Sequence, residues 1–414
     1  MDIFIRNISQ LLTLAAKGSA VKIGPDMQDL GIITDGAVLC RGGRIAWVGR
    51  TADFSGTIPK EMTVLDGTGT VVLPGFVDAH THAMFAGSRE REFALRAAGV
   101  TYREIAEQGG GILTTLDCVR KATKKELKRS TAHYLLEMLR AGTTTAEIKS
   151  GYGLTPESEN RMLEALRELK EEELTDIVPT FLGAHAVPPE YRNDTPGYVR
   201  LVVERMLPYV AEKGLAEFCD VFCERGFFGL EESERILLTA KSLGLKLKVH
   251  ADELSPLGGA ELAAKLGAVS ADHLEQVTGR GIEALAEAGV VAVLLPGVSF
   301  FLNHGYAPAR RLIDAGIPVA LATDFNPGSC MSFSMPLMMT IACTQMRMSP
   351  EEALAAATIN GAAALGLAAS RGSIEVGKKA DLLMAAIPDY RFLAYHFGVN
   401  HVRTVIKNGT VLEL

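Results

Sequence analysis

The stretch "VVLPGFVDAHTHAMFAG", residues 71–87, opens as an apolar run and ends in two histidines, His80 and His82, two positions apart. Residues two apart on a strand point to one face, so the two imidazoles aim together from the end of a strand otherwise built for burial. The texture repeats along the chain. Apolar runs recur as "GTTTAEIKSG" (142–151), "DIVPTFLGAHAV" (176–187), "AEFCDVFCERG" (216–226), "KLKVHADE" (246–253), "AVSADHLE" (268–275), "VVAVLLPG" (290–297) and "IPVALATDFNPG" (317–328). Between them lie helical patterns such as "ESENRMLEALRELKEEE" (157–173) and "EESERILLTAKSLG" (231–244). Strands that are apolar on both faces, alternating with amphipathic helices, mean a parallel sheet covered by helices. Eight such runs fit an α/β fold of the (β/α)8 TIM-like barrel type. The rival, an open doubly wound sheet, expects a glycine-rich phosphate loop after its first strand, and "DAHTHAMFAG" is not one.

The flanks read differently. Residues 1–70 are short β-like pieces with glycine turns, as in "GAVLCRGGRIAWVGR", and residues 371–414 return to that texture in "HVRTVIKNGTVLEL". Both ends are therefore expected to form one small β-sandwich domain, with the barrel, residues 71–370, inserted between them. The chain has 414 residues, 48% hydrophobic and 22% charged, with net charge −7, ample for a large core. That balance leaves no broad basic face, so nucleic acid is not an expected partner. The start lacks a basic segment before its apolar run, and the longest apolar run, "VVAVLLPGVSFFL", is broken by Pro296 and Gly297. Neither a signal peptide nor a membrane span is expected. The six cysteines have no metal-finger or disulfide spacing and fit reduced thiols in a cytoplasmic protein. Cys219 and Cys223 share a strand face, as packing residues do.

The histidines are not scattered. His80, His82, His185, His250 and His273, five of nine, end expected strands, and Asp324 ends the eighth. In a barrel these ends converge on the rim where chemistry is placed. Imidazoles crowded on one rim repel as cations, and a shared metal gives them reason to be neutral. His133 lies in a helical pattern. His304, His396 and His401 lie in loops or the terminal β region, and none of the four is assigned a catalytic role.

"PGFVDAHTH", "HADE", "DH", "TD" and "GSIEVGKKADL" together resemble the amidohydrolase superfamily, over nearly the whole chain. Within it, "EIKSGYGL", "FLGAHAVPPEY" and "ATDFNPGSC" resemble the branch that hydrolyses 4-imidazolone-5-propanoate to N-formimidoyl-L-glutamate in histidine degradation. The resemblance implies one transition metal, held by His80, His82, His250 and Asp324. Three imidazoles and a carboxylate without thiolate suit zinc or iron. Two-metal members bridge their ions with a modified lysine on the fourth strand. The fourth run here ends "CDVFCERG" without one, and Lys149, on the second run, reads as an anchor for a neighbouring carboxylate. A metal-activated water is then expected to attack the ring lactam carbonyl, with Glu253 as proton shuttle, Asp324 as ligand and base, and His273 orienting the water or stabilising the oxyanion. His185 is expected at the ring, and Asp252 as a structural hydrogen-bonder. The resemblance places the propanoate at Arg89, with Tyr152 beside it. A guanidinium matches both oxygens of a carboxylate. Asn326, Gly328 and Ser329 are candidate hydrogen-bonders to ring or product, and "EQGGGI" (107–112) a flexible cover. A homodimer is implied as well. Two other readings share parts of this pattern. A deaminase of a purine- or pyrimidine-like ring uses the same metal set, whereas a scaffold that lost its metal would not retain every ligand and Glu253.

Overall fold

The computed structural model describes residues 2–100, 104 and 110–413. Two eight-stranded sheets account for its strands. The first takes β1 (Ile3–Leu12), β2 (Ile32–Arg41), β3 (Arg44–Arg50), β4 (Thr63–Asp66) and β5 (Val71–Pro74) from the N-terminal flank. The second consists of β6 (Phe76–Asp78), β7 (Thr143–Lys149), β8 (Asp176–Ala184), β9 (Phe218–Cys223), β10 (Lys246–Ala251), β11 (Ser270–His273), β12 (Val291–Leu294) and β13 (Val319–Leu321). The first sheet is completed by β14 (Leu382–Ala385), β15 (Val402–Lys407) and β16 (Thr410–Leu412) from the C-terminal flank. Its order is β16-β15-β14-β5-β1-β2-β3, with β4 beside β1. It curls around a small core of its own, where Ile3, Ile5, Ile8 and Val38 meet Ile374, Leu382 and Ile406 from the far end of the chain.

The run at residues 71–80 is not one strand. Val71–Pro74 hydrogen-bonds within the terminal sheet, between β1 and β14, and only Phe76–Asp78 belongs to the parallel sheet. The break is Gly75. Its N–H donates to Asp381 in one sheet while the next N–H, of Phe76, donates to Gly142 in the other. A Cβ there would collide with the Thr144 side chain, so only glycine lets the chain cross.

The parallel strands lie in strict chain order from β6 to β13, an α/β barrel-like arrangement that is nearly closed. Past the ends of β6 and β13 the seam is drawn together by a parallel bridge between Thr81 and Phe325. His82 N–H donates to the Phe325 carbonyl and Asp324 N–H to the His80 carbonyl, each at 3.0 Å. Deeper in the seam, buried Asp78 accepts from the Thr323 backbone at 3.0 Å and its hydroxyl at 2.6 Å. Burial pushes this carboxyl up to about 7, with the threonine bonds acting in the opposite direction.

The helices start where their sequences supply caps. Thr123 and Glu126 form a capping box on Lys124–Arg140, and Thr155 caps Pro156–Glu172 just before its proline. Their buried faces, with Leu127, Leu135, Met162 and Leu166, join the strand side chains in one large core. His133 sits exposed on the first of these helices. His396 and His401 pair with each other, rings 4.9 Å apart, in the C-terminal region. All six cysteines are free thiols. Among the described residues no helix is long and apolar enough to cross a membrane.

Candidate functional site

The C-terminal ends of the parallel strands bring five histidines together, four of them buried and His185 half-buried. His80 and His82 follow β6 with ring centroids 5.4 Å apart. His250 near the end of β10 lies 4.6 Å from His80, and His273 ending β11 lies 5.2 Å from His250. His185, one residue past β8, stacks on His82 at 4.9 Å. The seam bonds carry Asp324 to the same place, its Oδ1 3.6 Å from His80 Nε2 and 3.4 Å from His82 Nε2.

His80 Nε2, His250 Nε2 and Asp324 Oδ1 are buried and lack a hydrogen-bond partner. Leaving several such atoms unpaired is costly, unless they share a positive ligand. Burial, reinforced by neighbouring positive charge, drives His80 and His82 well below the usual histidine range and His185 down to about 3. Neutral imidazoles are the form that binds metals. Two metal-sized groups overlap here, His80–His250–His273 and His80–His82–Asp324. The cluster fits one divalent transition metal.

Beneath it lies a layer of charge that the sequence reading noticed only in Lys149. Lys149 Nζ is fully buried, 2.7 Å from Asp220 and 2.9 Å from Glu147. It anchors carboxylates, as expected. Burial opposes its charge, but Asp220, Glu147 and Asp272 hold the ammonium above its ordinary range. Lys248 adds a second buried ammonium, 3.1 Å from Glu147 and 2.8 Å from the Ala79 carbonyl. Asp272 Oδ2 meets His80 Nδ1 at 2.6 Å, and Asp220 Oδ2 meets His250 Nδ1 at 2.8 Å. Asp272 thereby turns His80 Nε2 toward the cluster, while Asp220 accepts from the His250 backbone N–H at 3.1 Å and lies beside Nδ1 as a neighbouring charge. A third group of possible ligands, His80, Glu147 and Asp272, falls in this layer, where the two ammoniums already neutralise the carboxylates. The layer has a sequence signal. Glu147 and Lys149, Lys248 and His250, and Ser270 and Asp272 are polar pairs two apart, each with an apolar residue, Ile148, Val249 or Ala271, between them.

On the opposite side the charges differ. His273 lies between two carboxylates, Nε2 3.5 Å from Glu253 and Nδ1 3.7 Å from Glu275. Burial works against its imidazolium, but Glu253 and Glu275 outweigh it and push His273 up to about 10. Burial raises Glu253 above the usual carboxylate range, with the His273 charge opposing. Asp324 is pushed up to about 8, by burial first and with Glu253 adding to it. Its place between Glu253 and Glu275 sets His273 apart from the other rings, although it also falls in one of the two metal-sized groups. Asp252 accepts from the N–H groups of Gly258, Gly259 and Ala260 and thus shapes the turn, as expected. His304, left without a role by the sequence, follows helix Pro296–Leu302. Its Nε2 is buried and unpaired among the described residues.

The expected substrate residues separate into two groups. Tyr152 stands 5.7 Å from the His82 ring and 5.3 Å from that of His185, so both border the metal cluster. His185 is fixed by a 3.1 Å bond between Nδ1 and the Gly151 carbonyl. Arg89 lies instead against the loop after β13, its Nη1 so close over Gly328 that a Cβ there would collide with it. Asn326 Oδ1 accepts from the backbones of Gly328 and Ser329, each at 2.8 Å, and its Nδ2 donates to Asp324 O and Ser329 Oγ. These groups bond one another, and in the structure they shape the loop that carries Asp324. In "EQGGGI", residues 107–109 lie outside the described residues.

Residues 71–412 match the amidohydrolase family. The chain is 50% identical over 416 residues to an imidazolonepropionase of Alkaliphilus oremlandii (strain OhILAs), covering 100% of this chain and 98% of that one. It is 51% identical over 413 residues to an imidazolonepropionase of Geobacillus sp. (strain WCH70), covering 99% and 97%. Among solved structures it resembles a zinc-bound adenosine deaminase from Xanthomonas campestris, with TM-score 0.73 and 21% identity over 99% of this chain and 92% of that one. That likeness is one of fold.

Proposed function

The chain belongs to the amidohydrolase family and stands with its imidazolonepropionases, and we propose that it hydrolyses 4-imidazolone-5-propanoate to N-formimidoyl-L-glutamate. That it is a metal-dependent hydrolase acting on a cyclic amide or similar ring follows from the family and the buried ligand cluster. The observation that carries the finer reading is the division of the rim. Neutral imidazoles with orphaned nitrogens stand on one side, and the Glu253–His273 ion pair stands on the other.

His80, His82, His250 and Asp324 would hold the ion, zinc or iron by the donor set. When bound, it supplies Lewis acidity that polarises a carbonyl and brings the pKa of water toward ~7. Asp324, whose Oδ1 is buried without a hydrogen-bond partner beside His80 and His82, suits taking a proton from the attacking water as that oxygen bonds to the lactam carbon. The ring C–N bond then breaks, and Glu253 relays the proton that Asp324 took from the water to the departing nitrogen. His273 places positive charge beside the carbonyl oxygen as negative charge develops there. His185 and Tyr152 border the ring, Arg89 receives the propanoate, and the loop of Asn326, Gly328 and Ser329 closes the far side. The proposal includes a (β/α)8 barrel of residues 71–370 with a β-sandwich from residues 1–70 and 371–414. Val71–Pro74 moves to the sandwich by its pairing. It also includes a homodimer in the cytoplasm.

The test is loss of the imidazolone absorbance on adding purified, metal-loaded protein, with N-formimidoyl-L-glutamate identified as product. Turnover of purines or pyrimidines with ammonia release, and none of the imidazolone, would assign the site to a deaminase instead.

A further inference from the structure

We propose that Glu92 is a positioning residue that fixes the guanidinium of Arg89 so that one chosen edge meets a substrate carboxylate. The inference rests on the reading of Arg89 as the propanoate clamp. The helix Glu90–Ala97 begins directly after Arg89, and residues three apart face one another on a helix. Arg89 donates from Nε at 2.9 Å and from Nη2 at 2.7 Å to a single oxygen, Oε2 of Glu92. The two side chains are 11% and 13% exposed, so water competes little for this pair.

Glu92 is itself held. Its other oxygen, Oε1, accepts from the Gly111 N–H at 3.0 Å and from the Thr114 hydroxyl at 3.1 Å. Both donors lie at the start of helix Ile112–Lys121. The carboxylate is therefore pinned from a second element and cannot swing with Arg89.

A guanidinium has five N–H donors. Glu92 takes the Nε–Nη2 side edge, and Gly328 closes against Nη1. Among the described residues, the donors left are those of the end-on edge, Nη1 and the second N–H of Nη2, which match a carboxylate in parallel. Glu92 places a negative charge near an anionic substrate, which by itself weakens attraction. Its presence is explained by orientation. A free arginine loses side-chain freedom on binding, and a pinned one has already lost it. Gly328 belongs to the same device, since any Cβ there would displace Nη1.

The experiment compares kcat and KM of wild type, Glu92→Ala, Glu92→Gln, Arg89→Met and Arg89→Met/Glu92→Ala, on the propanoate substrate and on an imidazolone lacking the carboxylate. Metal content and circular dichroism are measured for each. Glu92→Ala is expected to raise KM for the propanoate roughly 3- to 10-fold more than KM for the carboxylate-free ring, the cost of immobilising one long side chain. Glu92→Gln, which keeps one acceptor oxygen, should lie between, and it carries the test if the alanine variant does not fold. In the Arg89→Met background, Glu92→Ala should change nothing further. Equal effects on both substrates, an unchanged or lowered KM for the propanoate, or full additivity with Arg89→Met would each overturn the inference. If wild type fails on the propanoate, or Arg89→Met leaves its KM unchanged, the functional reading has failed and takes this inference with it.

Discussion

Replacing Glu253 with glutamine separates proton transfer from metal binding. The carboxyl follows strand β10, its Oε2 is 3.5 Å from His273 Nε2, and burial holds its pKa above the usual carboxylate range. That elevation suits a group that must both take up and release a proton near neutral pH. Glutamine keeps the shape and one hydrogen bond but carries no proton and no charge. Loss of a proton carrier commonly costs ~10²–10⁴ in rate, which is about 2.7–5.5 kcal/mol of barrier. A second effect is specific to this site. At 3.5 Å and an effective dielectric near 20, the Glu253–His273 attraction is about 5 kcal/mol. Its removal leaves Glu275, 3.7 Å away, and Asp324 as the carboxylates acting on His273. The imidazolium should then lose its proton at lower pH than in wild type. Metal should stay, because Glu253 lies in none of the ligand groups. Three measurements suffice: imidazolone absorbance for kcat and KM, elemental analysis for metal, and an NMR titration of His273 in zinc-loaded protein. The expected result is a kcat lowered by ~10²–10⁴ with metal and KM close to wild type. A variant that retains nearly full kcat refutes the shuttle role and shifts proton delivery to Asp324, His185 or solvent. Asp324→Asn should differ by losing metal affinity as well.

Arg89→Met should lower kcat/KM for the propanoate by roughly 2–5 kcal/mol, the usual cost of truncating one partner of a buried charge pair. Steady-state kinetics showing no change would make Arg89 a structural residue. Alanine at His80, His82 or His250 should strip the metal and abolish activity while circular dichroism stays native, because the core is apolar and independent of the ion. Unfolding under mild chelation would point instead to a structural site. Lys149→Met leaves Asp220 and Glu147 buried with one cation fewer, so urea unfolding should show a loss of roughly 3–5 kcal/mol. Wild-type stability in that variant would mean that Lys248 alone neutralises the layer.

The chemistry-bearing ends of the strands were legible because strand periodicity is local. His80 and His82, two apart after an apolar run, share a face whatever the rest of the chain does. The repeated alternation of apolar runs with amphipathic helices likewise announces a parallel sheet, since such strands must be covered on both faces. Asp252 and Lys149 were read as structural from their surroundings, and their hydrogen bonds agree.

Other features needed tertiary structure. Pro74-Gly75 marks a break in the run, but which sheet takes Val71–Pro74 and which takes Phe76–Asp78 is decided by Asp381 and Gly142 accepting from successive N–H groups. The polar groups of Asn326 and Ser329 looked free for a ligand in the sequence, yet the loop folds them onto each other. Asp220 and Asp272 meet His250 and His80 across 30 and 192 residues of chain. Which residues end strands and which faces they share follow from neighbours one to four positions away, and so can be read along the chain. Which carboxylate meets which imidazole and which cation neutralises which buried anion emerge only when distant strands pack together. Those pairings depend on strand register and barrel closure, set by packing summed over the whole chain.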